Sequence, residues 1–289
     1  MKLARFKLAR TCSTLLFAAL ALSMGGVASA GFDEGMAAFK AEDYAKAFTE
    51  WKPLADAGHA QAQNNIGTLY ASGQGVVKDE YLAFVWYRLS AERGNIEGQY
   101  NVARMFDTGT GVRRDEALAL AWFLKAANMG HPGAQNNMGV IYAKGQGVPR
   151  DYAQALDWYT KAAEKGNVDA YNNLGGLYAN GYGVAKDAKQ AADWYVKAAE
   201  KGHAPALTNL GALYAEGQGV RASKVAAYAC YSLANAKGNQ IANKGLRLVE
   251  STMGRPDIEK AQALARQMLM PDNLKLALAA FEQSLVVRR

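Results

Sequence analysis

A segment of 36 residues repeats five times, without insertion or deletion, between residues 60 and 239. Every copy carries two glycines separated by one residue. The first four copies share a tryptophan column: Trp86, Trp122, Trp158 and Trp194. A fixed period of this length is typical of stacked supersecondary units, each of which buries its apolar face only against its neighbours. The repeat therefore predicts a solenoid, a class of fold that usually binds other molecules rather than transforming them.

Each repeat is predicted to form two helices, here called helix A and helix B. In the copy at 132–167, apolar residues such as Met138 and Ile141 recur at helical spacing and predict helix A. Gly145 is expected to end this helix because glycine adopts the positive φ of a C-cap without strain, and Asp151 is expected to cap helix B. Small residues recur in both helices, which predicts that the helices approach closely while aromatic side chains fill the remaining space.

The segments outside the repeats are predicted to cap the array or to direct export. Residues 31–59 resemble a shortened repeat, and residues 240–289 are predicted to form a C-terminal helical cap. Residues 1–30 combine a basic start, a short apolar stretch and small residues before Gly31, which together predict a secretory signal peptide. The alternative, a membrane anchor, is disfavoured because the apolar stretch is shorter than the roughly 20 residues of a spanning helix. We therefore expect a periplasmic or secreted protein without a transmembrane anchor in its mature form.

The charge distribution argues against binding to nucleic acid. The whole sequence has a formal net charge of +7, but the first 30 residues hold four of the 33 basic residues and none of the 26 acidic ones. The remaining excess is small and spread along the chain, whereas nucleic-acid-binding proteins concentrate basic residues on one face.

The sequence predicts no catalytic, cofactor or metal site. His59, His131 and His203 occupy one column and are separated by two repeats, so they are expected to stand too far apart to share a metal ion. We interpret them as surface or helix-capping residues. Cys230 is the only cysteine outside the predicted signal peptide and lies in the tryptophan column, so we interpret it as a buried apolar residue rather than a reactive thiol.

The repeat consensus resembles a known family. The pattern A-x-x-N-x-G-x-x-Y-A-x-G-x-G-V, followed by D-x-x-x-A-x-x-W-Y-x-K-A-A-x-x-G, is similar to the Sel-one-like repeat (SLR) family, relatives of the tetratricopeptide repeats with a longer loop between the helices. The resemblance implies an all-α fold, a right-handed α/α superhelical solenoid of 36-residue helix-turn-helix repeats. It also implies a scaffold or adaptor, often in envelope signalling or assembly.

An asparagine column is the main candidate for ligand binding. Its members, one on each helix A, are Asn65, Asn101, Asn137, Asn173 and Asn209. Asparagine is a mediocre helix former, so its presence in every repeat requires a reason. In related tetratricopeptide domains the matching position faces the concave groove and can hold a peptide main chain, a role that suits an amide because it both donates and accepts hydrogen bonds. The alternative is a structural hydrogen bond to the neighbouring repeat.

Columns that differ between repeats are candidates for specificity. The predicted groove-lining positions of this kind are Gln61, Asn64, Tyr100, Arg104, Asp107, Asn136, Lys144, Asn172 and Asn180. Their mixed polarity suits an extended peptide or a protein surface more than a small apolar ligand. Tyr100, Arg104, Asp107 and Lys144 therefore join the asparagine column as candidate peptide-binding residues.

The leading functional hypothesis is an exported, non-enzymatic adaptor that binds a protein or an extended peptide in its concave groove. One alternative is an envelope protein that binds or hydrolyses β-lactams or cell-wall fragments, because a branch of the family, the cysteine-rich secreted proteins of a gastric pathogen, is linked to that binding. Members of that branch carry a disulfide in each repeat, and this sequence lacks those cysteines. The other alternative is a structural spacer without a defined ligand.

Overall fold

The structure, a computed structural model, describes residues 30–287 and consists of helices joined by turns throughout that range. In chain order the described helices are α1 (30–40), α2 (Tyr44–Asp56), α3 (Ala60–Ser72), α4 (Glu80–Glu92), α5 (Ile96–Thr108), α6 (Glu116–Asn128), α7 (Pro132–Lys144), α8 (Tyr152–Glu164), α9 (Val168–Asn180), α10 (Ala188–Glu200), α11 (Ala204–Glu216), α12 (Lys224–Ala236), α13 (Gln240–Glu250), α14 (Arg255–Met268) and α15 (Leu274–Val287). The predicted signal peptide lies outside the described residues, apart from Ala30. Over the described range, no helix combines the length and the apolar character needed to cross a membrane.

Helices α3 to α12 form the five predicted pairs. The odd-numbered helices of this range, α3 to α11, are the A helices, and the even-numbered ones, α4 to α12, are the B helices. The described residues fall into two compact units, 30–129 and 130–287. In the first unit each helix from α2 to α6 packs against the next, and in the second unit the same holds from α7 to α13. Helix α14 packs on α12, and α15 packs on α14 and α10. The all-α class built from 36-residue helix-turn-helix repeats is confirmed.

The ends of the helices form as local sequence predicts. Gly145 ends α7 in the left-handed conformation, with φ of 73°, and its N–H donates to the carbonyl oxygen of Ile141. At the start of α8, Oδ1 of Asp151 accepts hydrogen bonds from the backbone nitrogens of Ala153 at 2.9 Å and Gln154 at 3.0 Å. These contacts satisfy backbone groups that a helix end leaves without a partner, which is why the turn sequence recurs in every repeat.

The second glycine of the loop permits close contact with the preceding helix B at Gly75, Gly111, Gly183 and Gly219. A Cβ on Gly183 would lie 2.7 Å from the carbonyl carbon of Tyr152, the first residue of α8, and one on Gly75 would lie 2.5 Å from the carbonyl carbon of Tyr44. Any side chain here would push the loop away from the helix that it covers. The loop therefore serves as a structural joint, as its fivefold occurrence predicts.

Inside four of the five repeats, a glycine of helix A faces a tyrosine ring of helix B. A Cβ on Gly139 would lie 2.5 Å from Cδ1 of Tyr159, so the ring occupies the space that a methyl group would need. Repeat 2 carries Ala103 and Phe123 at the same two positions, and both are buried. The predicted combination of small residues and aromatic filling is present.

The tryptophan column lies at the edge of the core rather than at its centre. Trp158 is buried, whereas Trp86, Trp122 and Trp194 are half-buried. At the last three of these tryptophans a lysine one helical turn later covers the ring: in α10, Nζ of Lys197 lies 3.9 Å from the ring centroid of Trp194. This cation–π contact lets a large aromatic residue occupy a boundary position.

A buried glutamine shows where one repeat lacks a contact that another has. In repeat 1, Nη1 of Arg93 lies 3.5 Å from Oε1 of Gln63. Gln99, the equivalent residue of repeat 2, is buried, and its Oε1 has no hydrogen-bond partner among the described residues. The position of Arg93 is occupied in repeat 2 by Met129. A buried acceptor without a donor costs free energy, so repeat 2 is less well satisfied here.

Candidate functional site

The asparagine column forms hydrogen bonds between neighbouring repeats. Nδ2 of Asn173 donates to Oδ1 of Asn136 at 3.0 Å. Nδ2 of Asn209 donates to Oδ1 of Asn172 at 3.0 Å, and in the first unit the bond from Asn101 to Asn64 has the same length. Each acceptor sits one position before the column residue of the preceding repeat. The structural alternative considered from the sequence therefore describes these three amides, and a role in binding a peptide remains a prediction for the column.

The two other members of the column differ from these three. Asn65 donates only to the thioether sulfur of Met36, at 3.7 Å, and sulfur is a weak acceptor. Asn137 is half-buried on α7, and its side-chain amide makes no hydrogen bond with the described residues. In the acceptor column, repeats 1, 3 and 4 have asparagine, whereas repeat 2 has Tyr100. Asn137 is thus the column amide best placed to hydrogen-bond a ligand.

In the first unit, two predicted residues line one small polar pocket. The pocket has a volume of about 180 Å³, is lined by Asn101 and Arg104 of α5, and is completed by Glu80 and Tyr87 of α4. Arg104 is exposed and stands over the ring of Tyr100, with 5.8 Å between its guanidinium carbon and the ring centroid. The pocket is large enough for a polar side chain, and a guanidinium is suited to hold a carboxylate there.

Tyr87 closes the pocket with a neutral hydroxyl. Its hydroxyl donates to Oγ1 of Thr68 at 3.2 Å. Burial raises the pKa of Tyr87 above its ordinary value, and the effect exceeds the lowering by the Thr68 hydrogen bond and the charge of Arg104. The tyrosine therefore stays protonated and offers hydrogen bonding rather than charge.

The remaining predicted residues lie apart from this pocket. Asp107 is exposed near the end of α5, where its carbonyl oxygen accepts a hydrogen bond from Nε of Arg114 at 3.0 Å. Lys144 is exposed in the last turn of α7, in the second unit. The structure thus brings together Tyr100, Asn101 and Arg104, while Asp107 follows at the end of the same helix.

The histidines cap helices. Nδ1 of His131 accepts a hydrogen bond from the backbone nitrogen of Ala134 at 3.0 Å, and His59 and His203 occupy the same position on α3 and α11. Across the residues that the structure describes, no group of three His, Cys, Asp or Glu side chains is arranged to hold a metal ion. The interpretation of the histidines as capping residues agrees with these contacts.

Cys230 is fully buried and forms no disulfide. Desolvation raises the pKa of its thiol to about 12, so the thiolate needed for nucleophilic chemistry does not form near neutral pH. This agrees with its interpretation as a buried apolar residue.

The acceptor half of the asparagine pairs was not identified from the sequence as structural. The sequence predicts Asn64, Asn136 and Asn172 as variable groove positions, whereas in the structure they accept the inter-repeat bonds. The sequence carries a signal of this pairing, because repeats 1, 3 and 4 have Asn-Asn at the two positions, whereas repeat 2 has Tyr-Asn and repeat 5 has Thr-Asn.

The Sel1 repeat family model matches residues 60–95, 96–131, 132–167, 168–203 and 204–239, the five repeats found above. No match was found among curated protein sequences.

Two solved structures are similar to this chain at 33% sequence identity. One is a Sel1 repeat protein from Oxalobacter formigenes, with a TM-score of 0.73, covering 80% of this chain and 96% of that protein. The other is a protective antigen with an SLR fold from uropathogenic Escherichia coli strains, with a TM-score of 0.71 and 33% identity over 83% of this chain. This chain spans 52% of the length of that antigen.

Proposed function

Because the chain belongs to the Sel1 repeat family, we propose that it is a non-enzymatic adaptor that binds an extended peptide or a protein segment on the face formed by its A helices. Sel1 repeat proteins generally mediate protein–protein interactions, and the family is a scaffold type rather than an enzyme family. The partner is held by side chains that vary between repeats, while the repeated residues hold the fold.

The observation that carries this proposal is the amide of Asn137. Three members of its column donate a side-chain hydrogen bond to the neighbouring repeat, whereas the Asn137 amide has no hydrogen bond with the described residues. An amide on a half-buried helix surface loses hydration when a peptide covers it, and a peptide main chain can replace both its donor and its acceptor partner. Asn137 is the proposed main-chain contact in the second unit.

The pocket at Arg104 supplies a second proposed contact, in the first unit. Arg104 is exposed, and its guanidinium is supported from one side by the ring of Tyr100. An acidic side chain of the partner would accept hydrogen bonds from the guanidinium, which lines the pocket. The proposed ligand is thus a peptide that includes an acidic residue.

The site of action is also part of the proposal. The basic and apolar features of residues 1–30 support export, so the adaptor would meet its partner in the periplasm or outside the cell, in envelope signalling or assembly. Intact-mass measurement of the exported protein tests this, and a mass that retains residues 1–30 would contradict it.

Site-specific photo-crosslinking tests the binding face. A p-benzoylphenylalanine introduced in place of Arg104 is expected to capture a discrete partner from envelope extracts. The control carries the same group in place of Tyr81, which is 65% exposed on the B helix α4. The partner band is expected to weaken when Asn137→Ala is added and to persist when the equally conservative Asn128→Ala is added on the exposed surface of the B helix α6.

Equal capture from both positions, with no effect of Asn137→Ala, would overturn the assignment of the A-helix face. Circular dichroism of each variant checks that the fold is retained.

A further inference from the structure

One residue of the repeat is smaller in repeat 4 than in the other repeats, and a gap lies beside it between α10 and α11. One position of helix B carries a large apolar residue that meets an aromatic residue of the next helix A: Phe48 lies 5.8 Å from Tyr70, and Phe84 lies 5.3 Å from Phe106, between ring centroids. Repeat 4 has Ala192 at this position, although the aromatic residue opposite, Tyr214, is retained. The small side chain leaves unfilled the space that other repeats fill.

This space is a cavity of about 630 Å³, within the range of roughly 300 to 1,000 Å³ that small-molecule sites occupy. Its apolar wall is made by Ala192 and Val196 of α10, Leu210 of α11 and Leu278 of α15. The C-terminal helix therefore covers the gap without filling it. The hydroxyl of Tyr214 donates to Oε1 of Glu282 at 2.8 Å, which ties α15 to α11 beside the cavity.

The rim of the cavity carries an excess of positive charge. Lys189, Arg221 and Lys275 line it, against two carboxylates, Asp193 and Glu282. One oxygen of Glu282 is already bonded to Tyr214. The three cations are exposed, and their side-chain nitrogens form no hydrogen bond or ion pair with the described residues. They come from three separate elements, α10, the loop before α12, and α15, and converge on one opening.

We propose that this cavity binds a carboxylate attached to a compact apolar group, with the apolar group against Ala192 and Leu278 and the carboxylate at Lys189, Arg221 and Lys275. Burial of the apolar group supplies the hydrophobic contribution, and the cations select for negative charge. A free organic acid and the C-terminal residue of a peptide share this chemistry. The cavity is not lined by Asn137 or Arg104, so it goes beyond the adaptor face proposed above.

Nuclear magnetic resonance titration of the full chain tests the proposal with four probes. These are 4-phenylbutyrate, its neutral amide, N-acetyl-leucine and N-acetyl-leucinamide. Both carboxylates are expected to shift backbone resonances of α10, α11 and α15, and each amide is expected to bind about tenfold more weakly, because it lacks the charge that the rim selects. Tighter binding of N-acetyl-leucine identifies a peptide end as the source, and tighter binding of 4-phenylbutyrate identifies a free acid; either supports the shared chemistry.

The register supplies a matched variant. Ala192→Leu introduces the residue that repeat 3 has at this position, Leu156, and is expected to fill the cavity and abolish binding while the protein remains folded. Arg221→Gln and Lys275→Gln are each expected to weaken carboxylate binding about fivefold. Lys201→Gln, an exposed lysine at the end of α10 outside the lining, should change nothing.

Absence of shifts at millimolar probe, equal binding of acid and amide, or unchanged binding by a folded Ala192→Leu protein would overturn the proposal. If Ala192→Leu unfolds, the two glutamine variants and the acid–amide comparison decide the question alone.

Discussion

Replacing Gly175 with alanine tests the closest helix contact of the repeat. A Cβ at this position would lie 2.6 Å from Cε1, 2.7 Å from Cδ1 and 3.0 Å from Cζ of Tyr195. Both residues are buried, so the ring has no free space to enter. Alanine favours a helix over glycine by about 1 kcal/mol, whereas overpacking a core costs about 1 to 3 kcal/mol and occasionally more. With three ring atoms this close, we expect the upper end of that cost and a net loss of about 2 kcal/mol.

The neighbouring Gly176 is a matched control on the same helix. A Cβ there would meet only the hydroxyl oxygen of Tyr195, at 3.9 Å, which is an ordinary contact. Gly176→Ala should therefore show the helix preference alone and stabilise the protein by about 1 kcal/mol. Urea unfolding followed by circular dichroism measures both variants against the parent protein.

A Gly175→Ala protein as stable as the Gly176→Ala protein would refute the reasoning, because it would show that the tyrosine ring moves at little cost. Repeat 2 already pairs Ala103 with Phe123, so a methyl group at this position is compatible with a repeat whose helices formed around it. The expected loss in repeat 4 arises because the spacing of α9 and α10 is already set by the glycine.

Three further predictions concern the asparagines, the buried glutamine and the buried thiol. Asn173→Ala should lower the free energy of unfolding by about 1 kcal/mol through loss of its inter-repeat bond, whereas Asn137→Ala should leave stability within about 0.5 kcal/mol and weaken partner binding; equal stability losses in urea unfolding would contradict this. Met129→Arg should raise stability by about 1 kcal/mol, because it offers Gln99 the donor that repeat 1 already has, and thermal unfolding without an increase would count against that contact. With Cys12 replaced by serine, a maleimide at pH 8 should label Cys230 only after unfolding, because burial raises the pKa of its thiol to about 12. Since the native state disfavours the thiolate, the free energy of unfolding should also fall as the pH rises from about 8.5 towards that value. Rapid labelling of the native protein would refute the burial.

The features that could be predicted from the sequence are those fixed within one repeat. The end of α7 at Gly145 and the start of α8 at Asp151 depend on residues only a few positions away, so the local sequence determines them. The packing of helix A against helix B can also be predicted from the sequence, because the apolar stripe of each helix is buried only against the neighbouring helices.

Contacts between repeats were harder to predict because they join residues far apart in the sequence. The bond from Asn173 to Asn136 spans 37 residues, and nothing local distinguishes Asn173 from Asn137, whose amide has no such acceptor. The tryptophans posed a related difficulty. A bulky aromatic in a repeated column suggests the centre of the core, yet a lysine one turn later covers the ring of Trp194 and allows it to stay half-buried. Helix α15 lies after the last repeat, so the periodicity of the sequence does not predict that it packs over the cavity beside Ala192.

Residues that break a column carry more functional information than residues that keep it. A contact repeated in every copy has to serve every interface, and the fold loses stability wherever it fails. Tyr100 breaks the acceptor column and its ring lies against the guanidinium of Arg104, and Ala192 breaks the large apolar column and opens a cavity with a cationic rim. Each break lies at a surface that a ligand can use. If stability alone determined position 192, restoring the column with Ala192→Leu would stabilise the protein without affecting binding; we expect that restoration to stabilise the fold and to reduce binding at the cavity.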